Sequence, residues 1–123
     1  GWRGVDTVVE KIEALGRRGV GVWADVSDPV QVESMFAEII ARLGHIDILV
    51  NNAAIIPVGE VLETSWETWN KCLTVNLGGI FLCGREAARH MIRQGTGGKI
   101  VKAHIAARGG QSKTNSSTLV FRN

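Results

Sequence analysis

Short apolar runs alternate with longer segments of helical periodicity along most of this chain, and that alternation restricts the folds open to it. Residues 20–24, 46–50 and 99–101 are short, apolar and β-prone, whereas the segments around them repeat apolar residues every three or four positions. The predicted order of elements is α-β-α-β-α-β, with connections of a few residues. Short buried strands joined by helices pair in parallel sheets that are covered on both faces. The sequence therefore predicts an α/β fold with a doubly wound parallel sheet.

The first two helices carry signals at their ends. A helix is predicted over residues 5–15, with Gly16 as its stop. Asp28 and Pro29 predict the next helix start, because an aspartate caps free backbone N–H groups and a proline is tolerated in the first turn. Gly44 ends this second helix. Its apolar face is expected to be buried and comprises Val32, Met35, Phe36, Ile39 and Leu43.

A third, long helix is predicted from residue 65 to about residue 94. Thr64 and Glu67 have capping-box spacing, in which each side chain bonds the free backbone N–H of the other residue. Gly78 and Gly79 interrupt the middle of the helix, at a cost of about 1 kcal/mol each relative to alanine. We therefore expect a kink or a close approach of another segment at this glycine pair.

Composition excludes several classes of protein. With 45% apolar and 21% charged residues, the chain is too apolar to be disordered and too charged for a membrane span. The first residues lack a signal-peptide core, and two cysteines cannot build a disulfide framework, so a cytoplasmic protein is expected. The net charge of +2 gives no reason to expect nucleic acid or a membrane surface as partner. The histidines share no ligand spacing, so no metal site is predicted.

Charge is unevenly distributed along the chain. Residues 102–123 contain four basic side chains and no Asp or Glu, and they turn polar and lose periodicity. We therefore predict one domain over residues 1–101, followed by a basic polar tail over residues 102–123 that is poorly ordered or foreign to the fold.

Polar and small residues follow the first two predicted strands. Ligands of open parallel sheets bind outside the carboxyl ends of the strands. A carboxylate there can accept from an exocyclic amine, and small side chains let a ligand approach the backbone. The alternative, also open, is that these residues cap a turn and satisfy the loop backbone. The residues concerned are Asp25, Val26, Asn51, Asn52, Ala53 and Ala54.

Four motifs in this order resemble the short-chain dehydrogenase/reductase family: DVSD at 25–28, ILVNNAA at 48–54, TVNLGGIF at 74–81 and GGKIV at 97–101. The resemblance runs over residues 5–101, which is about four-fifths of the chain. It covers less than half of a typical family member. It implies an incomplete, Rossmann-like, doubly wound parallel sheet, and a chain that is the central fragment of a longer enzyme.

The resemblance implies a nucleotide site that binds NAD or NADP. Asp25 would accept a hydrogen bond from the adenine amine, and the Val26 N–H would reach a ring nitrogen. Asn52, Ala53 and Ala54 would line the adenosine ribose, although Ala54 stands where the family more often has glycine.

Further roles are implied for the two other asparagines. Asn51 would tie adjacent strands together, and Asn76 corresponds to the catalytic asparagine of the family. The Asn76 main-chain carbonyl, freed by a local kink, would hold a water that passes protons to a lysine, and the flexible glycine pair would accommodate that kink. The alternative is that Asn76 is a solvent-facing residue of an ordinary helix. In the family the long helix packs between subunits, so a homo-oligomer through residues 65–94 is implied, although burial against the chain's own sheet fits equally well.

Several parts of the family pattern are absent from these residues. The chain has no tyrosine, so it lacks the Tyr-x-x-x-Lys pair, and no serine is assignable after the GGKIV run. The glycine-rich phosphate loop is also missing. The family orders its strands 3-2-1-4-5-6. Strands 2 and 1 would lie between the first and the second strand predicted here, and both are missing. We therefore expect the chain alone to be poorly stable and inactive.

The function expected from the resemblance is hydride transfer that interconverts an alcohol and a carbonyl, in a parent enzyme acting on a small molecule. A non-catalytic nucleotide-binding or subunit-interaction protein is the alternative. A third possibility is an incomplete or frameshifted reading of a gene. The substrate and the preference for NAD or NADP lie outside what these residues specify.

Overall fold

The computed structural model describes residues 3–57, 59–103 and 119–121. The predicted tail therefore lies mostly outside the described residues. The described elements, in chain order, are helices α1 (Arg3–Ala14) and α2 (Pro29–Leu43), strand β1 (Ile48–Asn51), helix α3 (Trp66–Leu73), a π-helix (Thr74–Gly78), helix α4 (Gly79–Gln94), and strands β2 (Lys99–Lys102) and β3 (Leu119–Phe121).

The sheet has the strand order β2-β1-β3. Strands β1 and β2 pair in parallel, with Ile48 opposite Lys99, and α4 connects them along the chain. The predicted α/β class with a parallel pair is therefore confirmed. Strand β3 was not predicted: it pairs antiparallel to β1, with Ile48 opposite Phe121. Together with Lys102 of β2, four residues of the predicted tail therefore join the sheet.

The prediction of a strand at residues 20–24 is wrong. The segment forms no ladder with another described residue and is not part of the sheet β2-β1-β3. It still alternates as a strand does: Val20 and Val22 pack against the core, whereas Trp23 is 69% exposed. The segment lies close to α1, since a Cβ added at Gly21 would come within 2.7 Å of Val5 Cγ1.

Helix α2 follows its sequence signals closely. Asp28 is the N-cap, and its side chain accepts from the backbone N–H groups of Val30 and Gln31. These bonds, with a stronger one from the Gln31 side chain, lower the pKa of Asp28. Gly44 ends the helix at φ +93°, a backbone conformation that favours glycine. All five predicted core residues of this helix are buried.

The long helix is interrupted as predicted, but its first residue differs. The N-cap is Ser65 rather than Thr64: the Ser65 Oγ accepts from the Thr68 N–H at 3.1 Å, while the Thr64 hydroxyl donates to the Glu60 carbonyl. The Thr64–Glu67 capping-box prediction is therefore wrong by one residue. A five-residue π-helix, Thr74–Gly78, separates α3 from α4 at the predicted site of the kink.

The core lies between α2, α4 and β1. Phe36, Ile46, Leu49 and Cys83 are fully buried there. The Phe36 ring stacks on His90 of α4, with ring centroids 6.1 Å apart. Burial at this contact lowers the pKa of His90.

Candidate functional site

The turn after residues 20–24 is organised by the Asp25 carboxylate. Asp25 Oδ1 accepts from the Ser27 backbone N–H at 2.9 Å and from the Ser27 hydroxyl at 2.6 Å. The turn-capping alternative from the sequence therefore holds for this oxygen. The side chain is exposed, and Oδ2 accepts no hydrogen bond from the described residues, so one carboxylate oxygen is available to a ligand.

Val26 fixes this turn against the long helix. Its side chain is buried, and a Cβ added at Gly79 would lie 2.7 Å from Val26 Cγ2 and 3.5 Å from its carbonyl oxygen. Only a glycine permits this approach without a shift of the neighbouring atoms. The Val26 N–H donates to no other described residue. A free donor and a free acceptor therefore stand on adjacent residues of one turn.

The loop after β1 begins with a buried amide. Asn51 is 4% exposed, and its Nδ2 has no hydrogen-bond partner among the described residues. Its backbone carbonyl accepts from the Ala103 N–H at 2.9 Å, which continues the parallel ladder. The backbone of Asn51 therefore links β1 to the residue that follows β2. A link between strands through the Asn51 side chain stays a prediction. Three half-buried residues follow: Asn52, Ala53 and Ala54.

Asn76 joins this loop to the π-helix. Its Oδ1 accepts from the Ile55 N–H at 2.7 Å, and its Nδ2 donates to the Ile55 carbonyl at 2.8 Å. We call this pair of bonds the Asn76 clamp. The solvent-facing alternative for Asn76 does not hold, because the side chain is half-buried and doubly bonded within a π-helix. Single-turn π segments inside α-helices occur frequently at functional sites.

A matching pair of hydrogen bonds, which the sequence did not predict, lies just before β1. Gln94 Oε1 accepts from the Ile46 N–H at 2.9 Å, and Gln94 Nε2 donates to the Ile46 carbonyl at 2.8 Å. We call this pair the Gln94 clamp. Gln94 is one of several polar residues in α4, so its position at the end of the helix carried no specific signal. Together the clamps fasten both ends of β1 to one continuous helical segment.

The two loops that carry the predicted site residues both contact the long helical segment. Val26 meets the segment at Gly79, and Ile55 meets it at Asn76, three residues earlier. The loops that follow residues 20–24 and β1 are therefore anchored at the same helical junction. A ligand that spans the two loops would contact the predicted residues on both.

The described ranges contain neither a metal-ligand cluster nor a membrane-spanning helix. No group of three or more His, Cys, Asp or Glu side chains there is arranged to hold a metal ion. None of the described helices has the length and apolar character that crossing a membrane requires.

A parallel pair of strands joined by a covering helix, with strand-end loops gathered on that helix, defines an α/β protein of Rossmann type. The family model described as short chain dehydrogenase matches residues 3–116. The chain belongs to the short-chain dehydrogenase family.

Individual relatives agree with this membership. A short-chain dehydrogenase/reductase of Armillaria gallica is 40% identical over 92 residues, which is 75% of this chain and 35% of the relative. The 2-dehydro-3-deoxy-D-gluconate 5-dehydrogenase of Escherichia coli K12 is 39% identical over 93 residues, covering 76% of this chain and 37% of that enzyme.

A solved structure shows the same fold. The short-chain dehydrogenase of Burkholderia cenocepacia J2315, crystallised in complex with NADP, superposes with a TM-score of 0.70 at 35% identity, covering 79% of this chain and 38% of that one. The chain thus spans a little over a third of the length of the relatives it matches.

Proposed function

We propose that these residues form the adenosine-binding part of an NAD(P)-dependent oxidoreductase that interconverts an alcohol and a carbonyl by hydride transfer. The observation that supports this most directly is the turn at Asp25 and Val26. There a carboxylate oxygen and a backbone N–H lie on adjacent residues, and neither bonds another residue that the structure describes. An acceptor next to a donor is the complement of the adenine edge, which presents an amine beside a ring nitrogen.

The proposed roles follow from this complementarity. Asp25 Oδ2 accepts from the adenine amine and the Val26 N–H donates to the ring nitrogen. The half-buried residues Asn52, Ala53 and Ala54 lie beside the ribose, where small side chains allow close approach. Membership of the family and the NADP complex of the Burkholderia cenocepacia relative support NAD(P) as the ligand.

Asn76 is the residue proposed to act in catalysis. When bound, the nicotinamide supplies the hydride chemistry, and the protein holds the cofactor and moves protons. In the proposed relay the main-chain carbonyl of Asn76 holds a water on the proton path, and the Asn76 clamp orients the surrounding backbone. The chain has no tyrosine, so the family's phenolic acid or base is not supplied by these 123 residues.

Replacing Asp25 with asparagine tests the adenine contact. Asparagine keeps the Oδ1 that caps the turn but replaces the free acceptor with a donor, which faces the adenine amine unfavourably. We expect the dissociation constant for NADH or NADPH to rise about tenfold, the worth of one hydrogen bond. Isothermal titration calorimetry of the full chain measures it.

The control for this experiment is Asp6→Asn, which makes the same charge change on an exposed residue of α1. We expect its affinity to match that of the unmodified chain. Equal affinities for all three proteins would contradict the Asp25 role, and no binding by the unmodified chain would contradict the proposed nucleotide site.

A second candidate function is subunit interaction through the long helix. Helix α3 contains no buried residue, and Leu77 and Phe81 are 63% and 62% exposed one helical turn apart. Exposed apolar side chains grouped on one helix are typical of protein–protein contacts. The alternative of burial against the chain's own sheet does not apply to these residues, so the proposed contact is with another copy of the chain.

A charge on this face tests the self-association. We expect the full chain to sediment as an oligomer and Leu77→Glu to sediment as a monomer, because burying an unpaired carboxylate opposes association. Val61→Glu is the matched control: Val61 is 85% exposed, but it lies in the preceding turn. A monomeric unmodified chain, or equal dissociation by both variants, would contradict the proposal.

A further inference from the structure

The side-chain amide of Asn76 makes three hydrogen bonds, of which only two belong to the Asn76 clamp. An amide nitrogen carries two hydrogens, and one of them serves the Ile55 carbonyl. The Asn76 Nδ2 also lies 3.3 Å from Cys72 Sγ, so the sulfur accepts the second hydrogen.

Cys72 has a second contact in the same junction. It is half-buried on α3, one turn before Asn76, and its thiol lies 3.8 Å from the Ile55 carbonyl oxygen to which it donates. The thiol, the amide and the carbonyl therefore form a closed set of three hydrogen bonds. Bonds in such a set polarise one another and favour a single arrangement.

The Ile55 backbone and the Cys72 sulfur both favour the same orientation of the amide. An amide reversed about its terminal bond would aim its nitrogen at the Ile55 N–H and its oxygen at the Ile55 carbonyl, which pairs donor with donor and acceptor with acceptor. It would also remove the donor from Cys72. The Gln94 clamp bonds Ile46 in the same two-point way, and the structure shows no sulfur contact there. It serves as an internal reference.

We propose that Cys72 is a positioning residue: its sulfur holds the Asn76 amide in the orientation that fastens Ile55, and with it the loop of residues 52–54. The consequence for nucleotide binding rests on the proposed function, whereas the consequence for the Ile55 backbone does not. Cys72 is not among the residues predicted to act in catalysis or to bind the cofactor.

Hydrogen exchange at single backbone amides tests the proposal in the full chain. In Cys72→Ala, which removes the sulfur, we expect the Ile55 N–H to exchange about three- to tenfold faster, as the loss of part of a hydrogen-bonded set implies. In Cys72→Ser, whose hydroxyl also accepts and donates, the rate stays close to that of the unmodified chain. The Ile46 N–H in the Gln94 clamp keeps its rate in both variants.

Two comparisons separate positioning from packing. Lys71→Ala changes the exposed neighbour of Cys72 and should leave the Ile55 rate unchanged. Equal rates in the Ala and Ser variants would overturn the proposal, because packing alone would then explain the site. Equal acceleration of the Ile46 and Ile55 amides would overturn it too, since that indicates general destabilisation.

Titration of the same variants with NADH tests the consequence for nucleotide binding, which rests on the proposed function. We expect weaker binding by Cys72→Ala, by the same factor as the Ile55 exchange, and restored binding by Cys72→Ser. If the unmodified chain does not bind NADH, the proposed function fails, while the Ile55 exchange rates still decide whether Cys72 positions Asn76.

Discussion

Replacing Asn76 with alanine is expected to lower the free energy of unfolding by about 2–3 kcal/mol, because the half-buried Ile55 N–H loses its partner and the Ile55 carbonyl keeps only the Cys72 thiol. Ile55 loses both bonds of the Asn76 clamp, and no other described residue bonds its N–H. Urea denaturation of the full chain, followed by tryptophan fluorescence, measures this change. We also expect NADH binding to weaken, since the loop of residues 52–54 is no longer held at the helix.

Gln94→Ala is the matched control. It removes the same pair of bonds from Ile46 at the other end of β1, so its cost in stability should be similar. It should leave the affinity for NADH unchanged, because Ile46 precedes the strand and the proposed site follows it. Equal losses of affinity in the two variants would show that the Asn76 clamp matters for stability alone.

Gly79→Ala is the second substitution expected to lower both the free energy of unfolding and the affinity for NADH. The added Cβ would lie 2.7 Å from Val26 Cγ2 and 3.2 Å from Val26 Cβ, so the turn must move away from the helix. Overpacking of this kind costs about 1–3 kcal/mol. The better helix propensity of alanine returns about 1 kcal/mol of that. The expected net loss is about 0–2 kcal/mol in urea denaturation.

Gly78→Ala supplies the comparison at the adjacent position. A Cβ there meets only Thr74 Cγ2 at 3.9 Å, an ordinary contact, so the variant should be about 0.5–1 kcal/mol more stable. Gly79→Ala should also weaken NADH binding, because Val26 carries the proposed N–H donor. Equal stabilisation of both variants would show that Val26 does not limit the residue at position 79.

The glycine pair illustrates where sequence reasoning reached the right place for the wrong reason. It predicted a kink or a close approach; a π-helix ends at Gly78, and Val26 packs on Gly79. The flexibility expected of the pair is not used, because Gly78 and Gly79 have helical φ values of −61° and −59°. The space that a missing side chain leaves is a tertiary property, and a single sequence does not reveal it.

Local signals specified most of the helical structure. The cap at Asp28, the stop at Gly44 and the five core residues of α2 were all predictable, because capping bonds and apolar periodicity depend on neighbours within a few positions. The motifs at the strand ends were recognisable for the same reason, and they indicated the family that the comparisons then showed. The roles assigned to the individual site residues remain proposals.

By itself, then, the sequence determined the limits of α2, the α/β class, a parallel sheet that includes β1 and β2, and the residues to examine for a ligand. Tertiary structure decided the rest: residues 20–24 form no strand, β3 pairs with β1, and two side-chain amides fasten the ends of β1 to one helix. The physical reason is that a strand exists only when another segment accepts and donates its backbone hydrogen bonds. Which segment does so, and which side chain reaches a distant backbone group, depends on contacts between residues far apart in the chain.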